Sequence, residues 1–200
     1  ARALGFTGVL IGNLGHLPLV RGLDFHLYGD YGLNVFNSRS LAYLKDKELE
    51  SACVSFELRF AQIRDLKKVL RAEAIVYGRL PLMITENCLV QNETGCRLDR
   101  QGPCVPEDGP CRCGQPNVLV DRTGAAFPLL PAYGHRTEIQ NSKPLYLADR
   151  PEHRRLGLAY ARLRFTTETA EECVSVVQNY LDAAPAAGDF TRGLYERGVE

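Results

Sequence analysis

Short apolar segments alternate with amphipathic helical patterns along most of this chain, and this alternation restricts the folds that it can adopt. Parallel strands need crossover connections of about a dozen residues or more, usually containing a helix. Strand, helix and strand at this spacing therefore predict parallel βα units. The segments predicted as strands are residues 8–12, 25–28 with 33–36, 51–58, 74–77 and 159–165. The segments predicted as helices are residues 38–47, beginning at the cap Ser38, residues 60–71, and residues from Thr166 or Thr167 to about Leu181.

The fold class that we predict is α/β, with parallel βα units arranged as a partial or incomplete TIM-like barrel. A closed barrel has eight strands and takes about 250 residues, whereas this chain has 200. It therefore fits either the later part of a barrel whose first strands are absent or an open α/β sheet. We predict one barrel-like domain over residues 1–182 and a C-terminal tail over residues 183–200, which is rich in alanine and glycine.

The pattern also assigns faces to two of these segments. In residues 51–58 the alternation predicts one face made by Ala52, Val54, Phe56 and Leu58 and an opposite face made by Cys53, Ser55 and Glu57. In the last helix the predicted buried face consists of Ala170, Cys173, Val174, Val177 and Leu181.

A cysteine-rich stretch, residues 85–114, interrupts the alternation. Five of the seven cysteines lie in it: Cys88, Cys96, Cys104, Cys111 and Cys113. Residues 117–121 and 126–130 follow it and flank a glycine-containing turn, which predicts a β-hairpin. We predict residues 85–140 as an insertion into the barrel-like domain. Long loops inside compact domains are usually functional or disordered, and five thiols favour a function.

The thiols point to metal binding without any comparison. Thiolates are soft ligands that favour iron–sulfur clusters or zinc. The stretch has no C-x-x-C pair, so a standard zinc ribbon is poorly supported. An iron–sulfur cluster is the favoured interpretation, with zinc and metal-free thiols as alternatives. Cys53 and Cys173 lie in regular segments and are predicted to pack in the core.

Charge and hydropathy limit the partners. The formal net charge is zero, so the chain has no overall electrostatic attraction to nucleic acid or membranes. A basic stripe on residues 60–71 is interpreted as a solvated helix face rather than a phosphate site. No apolar run approaches the roughly 20 residues of a membrane span, so no membrane partner is expected. No signal peptide opens the sequence, and we expect a cytoplasmic protein with reduced cysteines.

Polar residues lie at or near the carboxyl ends of the predicted strands, where α/β folds place their sites. They are Asn13, Asp30, Asn34, Glu57 and Arg79. We predict Glu57 and Asp30 as paired catalytic carboxylates. Arg79 is predicted as a catalytic residue that holds an anionic substrate group, and Asn13 and Asn34 are predicted to bind substrate. The alternative for Glu57 and Asp30 is that they make structural hydrogen bonds near strand ends, and the alternative for Arg79 is burial against Glu57 or Asp30.

Short motifs in a fixed order resemble the C-terminal portion of the collagenase-like peptidase family of unassigned catalytic type. Around the cysteine stretch these are YGRLPLM, LVDRTGAAFP and RTEIQNSKPLYLAD. Toward the two ends they are GNLG, GDYGLNVFNS, SFEL, RLRFTTETAEEC and FTRGLYERGVE. Together they cover nearly all 200 residues.

The resemblance has implications that spacing alone does not have. Members are named peptidases, whereas better-understood relatives hydroxylate tRNA, ribosomal RNA or the ubiquinone ring. Those relatives carry a [4Fe–4S] cluster on four cysteines, are similar to barrel proteins and are longer than this chain. The resemblance thus implies a C-terminal piece, whose partner is the missing N-terminal part of the barrel or another chain.

Carried over residue by residue, Cys88 and Cys96 match the first two cysteines of the family. Cys113, followed by Gly114, matches the third, with Cys111 as the alternative.

The fourth family cysteine precedes the arginine of an R-x-E-x-x-N-S segment, and His135 occupies that position here. Histidine replaces cysteine at some iron–sulfur clusters, so His135 is the predicted fourth ligand. The alternatives are a thiolate from Cys104 or Cys111, a zinc site, or no metal. Residues that would orient this loop, or else make only loop hydrogen bonds, are Arg136, Glu138 and Asn141.

Three functional hypotheses follow. The first is an iron–sulfur-dependent enzyme that hydroxylates RNA. The second is a peptidase that acts on collagen-like or other polypeptides, although the sequence has no G-x-S-x-G or H-E-x-x-H motif. The third is a non-enzymatic accessory piece of a larger barrel protein.

Overall fold

The computed structural model of the chain describes residues 2–94 and 112–198. Its strands are β1 Gly8–Ile11, β2 His26–Gly29, β3 Ser51–Cys53, β4 Arg71–Gly78, β5 Pro81–Thr85, β6 Asn117–Val120, β7 Ala126–Ala132, β8 Arg136–Gln140, β9 Leu145–Tyr146 and β10 Tyr160–Leu163. Its α-helices are α1 Leu17–Val20, α2 Ser38–Asp46, α3 Phe60–Asp65, α4 Leu89–Thr94 and α5 Ala170–Asp182. Its 3₁₀ helices are Arg2–Leu4, Leu14–His16, Tyr31–Leu33, Arg112–Gly114 and Pro151–Arg155.

The described strands form two sheets. The first has the parallel order β1-β2-β3-β4-β10, and β9 pairs antiparallel with the end of β4. The second is antiparallel, in the order β5-β8-β7-β6. The α/β class, the parallel βα units and the β6–β7 hairpin are confirmed, whereas the barrel stays a prediction. The antiparallel sheet is larger than the predicted hairpin because β5 and β8 pair with each other across the cysteine stretch.

Two local predictions were wrong near the start. Residues 33–36 are not a strand: Asp30 Oδ1 accepts a hydrogen bond from the Tyr31 amide at 2.8 Å and begins a 3₁₀ turn. The cap of α2 is Asn37 instead of Ser38, since Asn37 Oδ1 accepts from two helical amides. The side chain of Ser38 instead accepts a hydrogen bond from the amide of Lys67.

The alternation predicted over residues 51–58 was also wrong. Strand β3 ends at Cys53, and Cys53 and Ser55 are as buried as their neighbours. Parallel strands covered on both faces lose the alternating pattern. The helix predicted to reach residue 71 ends at Asp65, because Leu66 has extended backbone angles, and the Lys68 ammonium donates to the Ile63 carbonyl at 2.6 Å.

Helix α5 buries a different face from the predicted one. Val176 is its buried residue, and the Tyr180 hydroxyl donates to the Val76 carbonyl at 2.5 Å. Val174 and Leu181, predicted to be inside, are 70% and 71% exposed. Val176 and the half-buried Tyr180, one turn later, lie on the face of α5 that meets the sheet.

The C-terminal segment closes the main core. Tyr195 is 1% exposed and its hydroxyl donates to the Ile75 carbonyl at 2.5 Å. Its ring stacks on Phe60, with the centroids 5.2 Å apart. The predicted tail therefore packs onto the α/β sheet. Within the described ranges, no helix has the length and apolar character needed to cross a membrane.

Candidate active site and cysteine cluster

The polar residues predicted for the site do follow the carboxyl ends of the parallel strands. Asn13 comes after β1, Asp30 directly after β2, Glu57 shortly after β3 and Arg79 directly after β4. The backbones of the loops after β1 and β2 approach each other closely. A Cβ atom at Gly32 would lie only 2.6 Å from the Gly12 carbonyl oxygen.

Asp30, Glu73 and Arg162 form a half-buried ion-pair network, which together with Cys53 we call the concave cluster. Arg162 Nη1 pairs with Asp30, and Arg162 Nε pairs with Glu73. Strands β2 and β10 are separated by β3 and β4. Three spacings of about 4.8 Å would put them roughly 14 Å apart in a flat sheet, farther than these side chains reach. The parallel sheet is therefore curled, with this network on its inner face.

The electrostatics of the concave cluster set its chemistry. Burial raises the pKa of the Cys53 thiol to about 12, against an opposing effect of Arg162. Burial also raises the pKa of Glu73, and Arg162 again opposes the rise. Cys53 is thus a neutral, buried thiol, which confirms its predicted place in the core and gives it no nucleophilic character.

A second polar group, the junction cluster of Tyr31, Glu138, Gln140 and Arg164, connects the two sheets. The Arg164 guanidinium donates to Glu138 and to the Gln140 side-chain oxygen, both at 2.7 Å. It also lies over the Tyr31 ring, 5.5 Å from the centroid. Burial raises the pKa of Tyr31, and the Glu138 carboxylate adds to the rise.

Gly78 allows this junction to form. Its φ is +116°, and a Cβ atom there would lie 2.0 Å from the Arg164 carbonyl oxygen. The Arg164 amide donates to the Tyr77 carbonyl at 2.9 Å. A glycine is needed for both the backbone angle and the close approach.

The predicted site residues have different surroundings. Arg79 Nη1 donates to the backbone carbonyls of Asn141 and Ser142, which holds the loop between β8 and β9. Asn13 Oδ1 accepts from the Gly15 amide at 2.7 Å, and Asn34 ends a 3₁₀ turn at φ 47°.

Glu57 and Asp30 are not joined. Asp30 pairs with Arg162, which also pairs with Glu73. The Glu57 carboxylate is half-buried in the turn after β3. It makes no hydrogen bond or ion pair with the residues that the structure describes.

Sequence reasoning missed Glu73, Arg162 and Arg164 as site residues and gave Glu138 only a part in the metal loop. A signal was available in the predicted strand 159–165, where Arg162 and Arg164 alternate with apolar residues. Arginine is almost never buried unless it is paired. Two of them in one predicted strand of the sheet therefore predict carboxylates opposite.

Two cysteines belong to one apolar cluster that packs on the antiparallel sheet. Cys88, 8% exposed, precedes α4, and Cys113 lies in the 3₁₀ helix Arg112–Gly114, which contacts α4. Both pack in one apolar cluster with Val90, Leu129 and Ile139. Of the other predicted ligands, Cys96, Cys104 and Cys111 lie outside the described residues.

His135 lies in the turn between β7 and β8, in the left-handed region at φ 59°. The next residue, Arg136, pairs with Glu86 at 3.2 Å, two positions before Cys88. Within residues 2–94 and 112–198, no three histidine, cysteine or acidic side chains are grouped closely enough to hold a metal ion. Of the predicted ligands in the described part, Cys88 and Cys113 share one apolar cluster, but they form no group of three with His135, and the ligand set stays a prediction.

Comparison with known proteins adds one finding. The model of peptidase family U32 matches residues 1–120. No curated protein and no solved structure matches the chain significantly.

Proposed function

We propose that this chain, which belongs to peptidase family U32 because the family model covers residues 1–120, is an iron–sulfur-dependent enzyme that hydroxylates RNA. The observation that carries the proposal is the convergence of Cys88 and Cys113 in one apolar cluster. These residues are 25 positions apart, and the segment between them contains three further cysteines.

The two described thiols suit such a cluster. Iron–sulfur clusters are held by thiolates, and their potentials depend on burial and on hydrogen bonds to the sulfurs. Cys88 is nearly buried against Val90 and Ile139. We assign the ligands to Cys88, Cys96, Cys113 and His135, with Cys111 as the alternative fourth ligand and zinc as the alternative metal. When bound, a [4Fe–4S] cluster supplies one-electron transfer.

The residues at the carboxyl ends of the parallel strands would bind the substrate. RNA bases stack on aromatic rings and on arginine planes, and Tyr31 with Arg164 offers both at the junction of the sheets. Glu57 is the best acid or base of the predicted pair. Its carboxylate has no ion pair in the described part of the chain, whereas Arg162 neutralises Asp30.

Metal analysis after anaerobic purification tests the cluster. We expect about four irons and four sulfides per chain, lost in Cys88→Ala and Cys113→Ala. His135→Ala and Cys111→Ala decide between the two fourth ligands. Absence of iron and sulfide after anaerobic reconstitution would refute the proposal. Loaded enzyme with RNA then tests the substrate, by mass spectrometry of the digested nucleosides.

The second candidate is a peptidase, which the family description favours. An aspartic dyad shares a proton between two carboxylates, whereas Asp30 and Glu73 share Arg162. Two histidines already have partners: the His26 side chain bonds to Glu50, and the His153 side chain bonds to the Arg150 carbonyl. Proteolysis that survives Cys88→Ala but disappears in Glu57→Gln would establish this function over hydroxylation.

The third candidate, a non-enzymatic piece of a larger barrel, is favoured by the sheet edges. Within the described residues, β1 and β10 are the outer strands of the parallel order. Unpaired strand edges favour association with another chain. Size-exclusion chromatography of the chain alone would then show self-association, or tight binding to the partner that supplies the remaining strands.

A further inference from the structure

We infer that Thr137 is a positioning residue for Cys88, since its hydroxyl holds the backbone on both sides of that cysteine. The inference rests on the proposed role of Cys88 as a metal ligand. Thr137 is 3% exposed on β8. Its Oγ1 accepts a hydrogen bond from the Leu89 amide at 3.0 Å and donates to the Asn87 carbonyl at 3.3 Å.

These contacts replace an ordinary helix cap. The Cys88 carbonyl accepts from the Asn92 amide at 3.4 Å, the first hydrogen bond of α4. Cys88 therefore occupies the N-cap position, where a side-chain oxygen usually satisfies the first free amides. Here the Thr137 hydroxyl, from a distant strand, satisfies the Leu89 amide. The Thr137 hydroxyl of β8 thus caps the start of α4, and the sulfur of Cys88 is not needed for that cap.

A second threonine reinforces the turn of residues 86–88, which we call the cysteine turn. Thr85 pairs directly with Thr137 across β5 and β8. Its hydroxyl donates to the Asn87 carbonyl at 2.5 Å. The ion pair of Arg136 with Glu86, 3.2 Å long, fixes the start of the same turn. The backbone before and after Cys88 is thereby anchored to strand β8 and its partner.

Partners that orient metal ligands typically change metal affinity by about 10- to 100-fold when they are removed. Thr137→Val keeps the shape and removes the hydroxyl, and Thr137→Ser restores it. Thr123→Val is the matched control, because the Thr123 hydroxyl bonds to Asp121 at 2.7 Å in the β6–β7 turn of the same sheet. Thr85→Val removes one of the two hydroxyls on the Asn87 carbonyl and perturbs folding less.

The first readout is the alkylation rate of Cys88 in the metal-free chain, measured by peptide mass spectrometry with Cys173 of α5 as internal reference. We expect about a tenfold faster rate in Thr137→Val, because two hydrogen bonds that keep Cys88 buried are lost. Thr85→Val should give about a threefold increase. Thr137→Ser and Thr123→Val should stay within about twofold of the wild type.

The second readout is cadmium affinity, followed by the sulfur-to-cadmium absorption band, and we expect about a tenfold loss in Thr137→Val. Unchanged alkylation of Cys88 in Thr137→Val and Thr85→Val would overturn the inference. Equal cadmium affinity with a lower melting temperature would do so too, because Thr137 would then be only structural. Iron and sulfide in the wild type test the proposed function separately, since the alkylation result does not depend on them.

Discussion

Replacing Arg162 by methionine tests the ion-pair network that joins strand β10 to Asp30 and Glu73. The change removes the guanidinium that neutralises both Asp30 and Glu73 and keeps most of the side-chain volume. The side chains of Arg162, Asp30 and Glu73 are 21%, 22% and 15% exposed. Breaking a buried pair from one side destabilises a protein by about 3–5 kcal/mol. The partial exposure favours the lower end, about 3 kcal/mol.

The loss should depend on pH in a defined direction. Burial already raises the pKa of Glu73 in the folded state, and Arg162 opposes that rise. Without Arg162 the folded-state pKa rises further above the unfolded value, so the folded variant binds more protons than the unfolded one. Its stability therefore falls as pH rises through the window above the ordinary glutamate pKa of 4.5. Arg162→Met should lose less stability at about pH 5 than at about pH 8.

Urea unfolding at both pH values measures this effect. For a domain of this size about 3 kcal/mol corresponds to a fall of roughly 10 °C in Tm. The triple variant Asp30→Asn, Glu73→Gln, Arg162→Met removes all three charges and should recover part of the loss. A single variant within about 1 kcal/mol of the wild type at neutral pH, or one less stable in acid than in base, would refute this account of the concave cluster.

Three further predictions concern Gly78, Tyr195 and Glu57. Gly78→Ala should cost about 3 kcal/mol or more, because it adds a clash with Arg164 to a strained φ. Gly124→Ala, at φ +84° with open space around it, should cost only about 1 kcal/mol, and equal unfolding free energies for the two would contradict the clash. Tyr195→Phe should lower the free energy of unfolding by about 1–2 kcal/mol, because the buried Ile75 carbonyl loses the donor hydroxyl. An unchanged urea midpoint would show that the hydroxyl is dispensable. Glu57→Gln should abolish turnover of either proposed substrate at unchanged iron content, and a fully active variant would exclude Glu57 from the chemistry.

Elements whose signal is local could be predicted from the sequence. Strands β1, β2 and β4 follow short apolar runs, and the β6–β7 hairpin follows its glycine turn. The elements that failed depend on distant groups. Strand β5 is defined by pairing with β8 across more than fifty residues.

The candidate site divides in the same way. The place of Asp30 at a strand end follows from the order of the elements, but its partner Arg162 is 132 residues away. Their contact requires the curvature of the sheet, which no local pattern encodes. The meeting of Cys88 with Cys113 is compatible with the ligand set inferred from the resemblance, while the ligands in residues 95–111 stay predictions.

Strand β8 places two consecutive side chains on opposite sides of the antiparallel sheet. Thr137 holds the cysteine turn, and Glu138 holds Arg164 at the junction with the parallel sheet. Side chains alternate along a strand, so a slip of one residue would exchange these two faces. Strand β8 therefore lies between the thiols and the proposed substrate-binding edge. An insertion or deletion in β8 would disrupt the contacts of both Thr137 and Glu138 at once, whereas a point substitution can remove either contact alone.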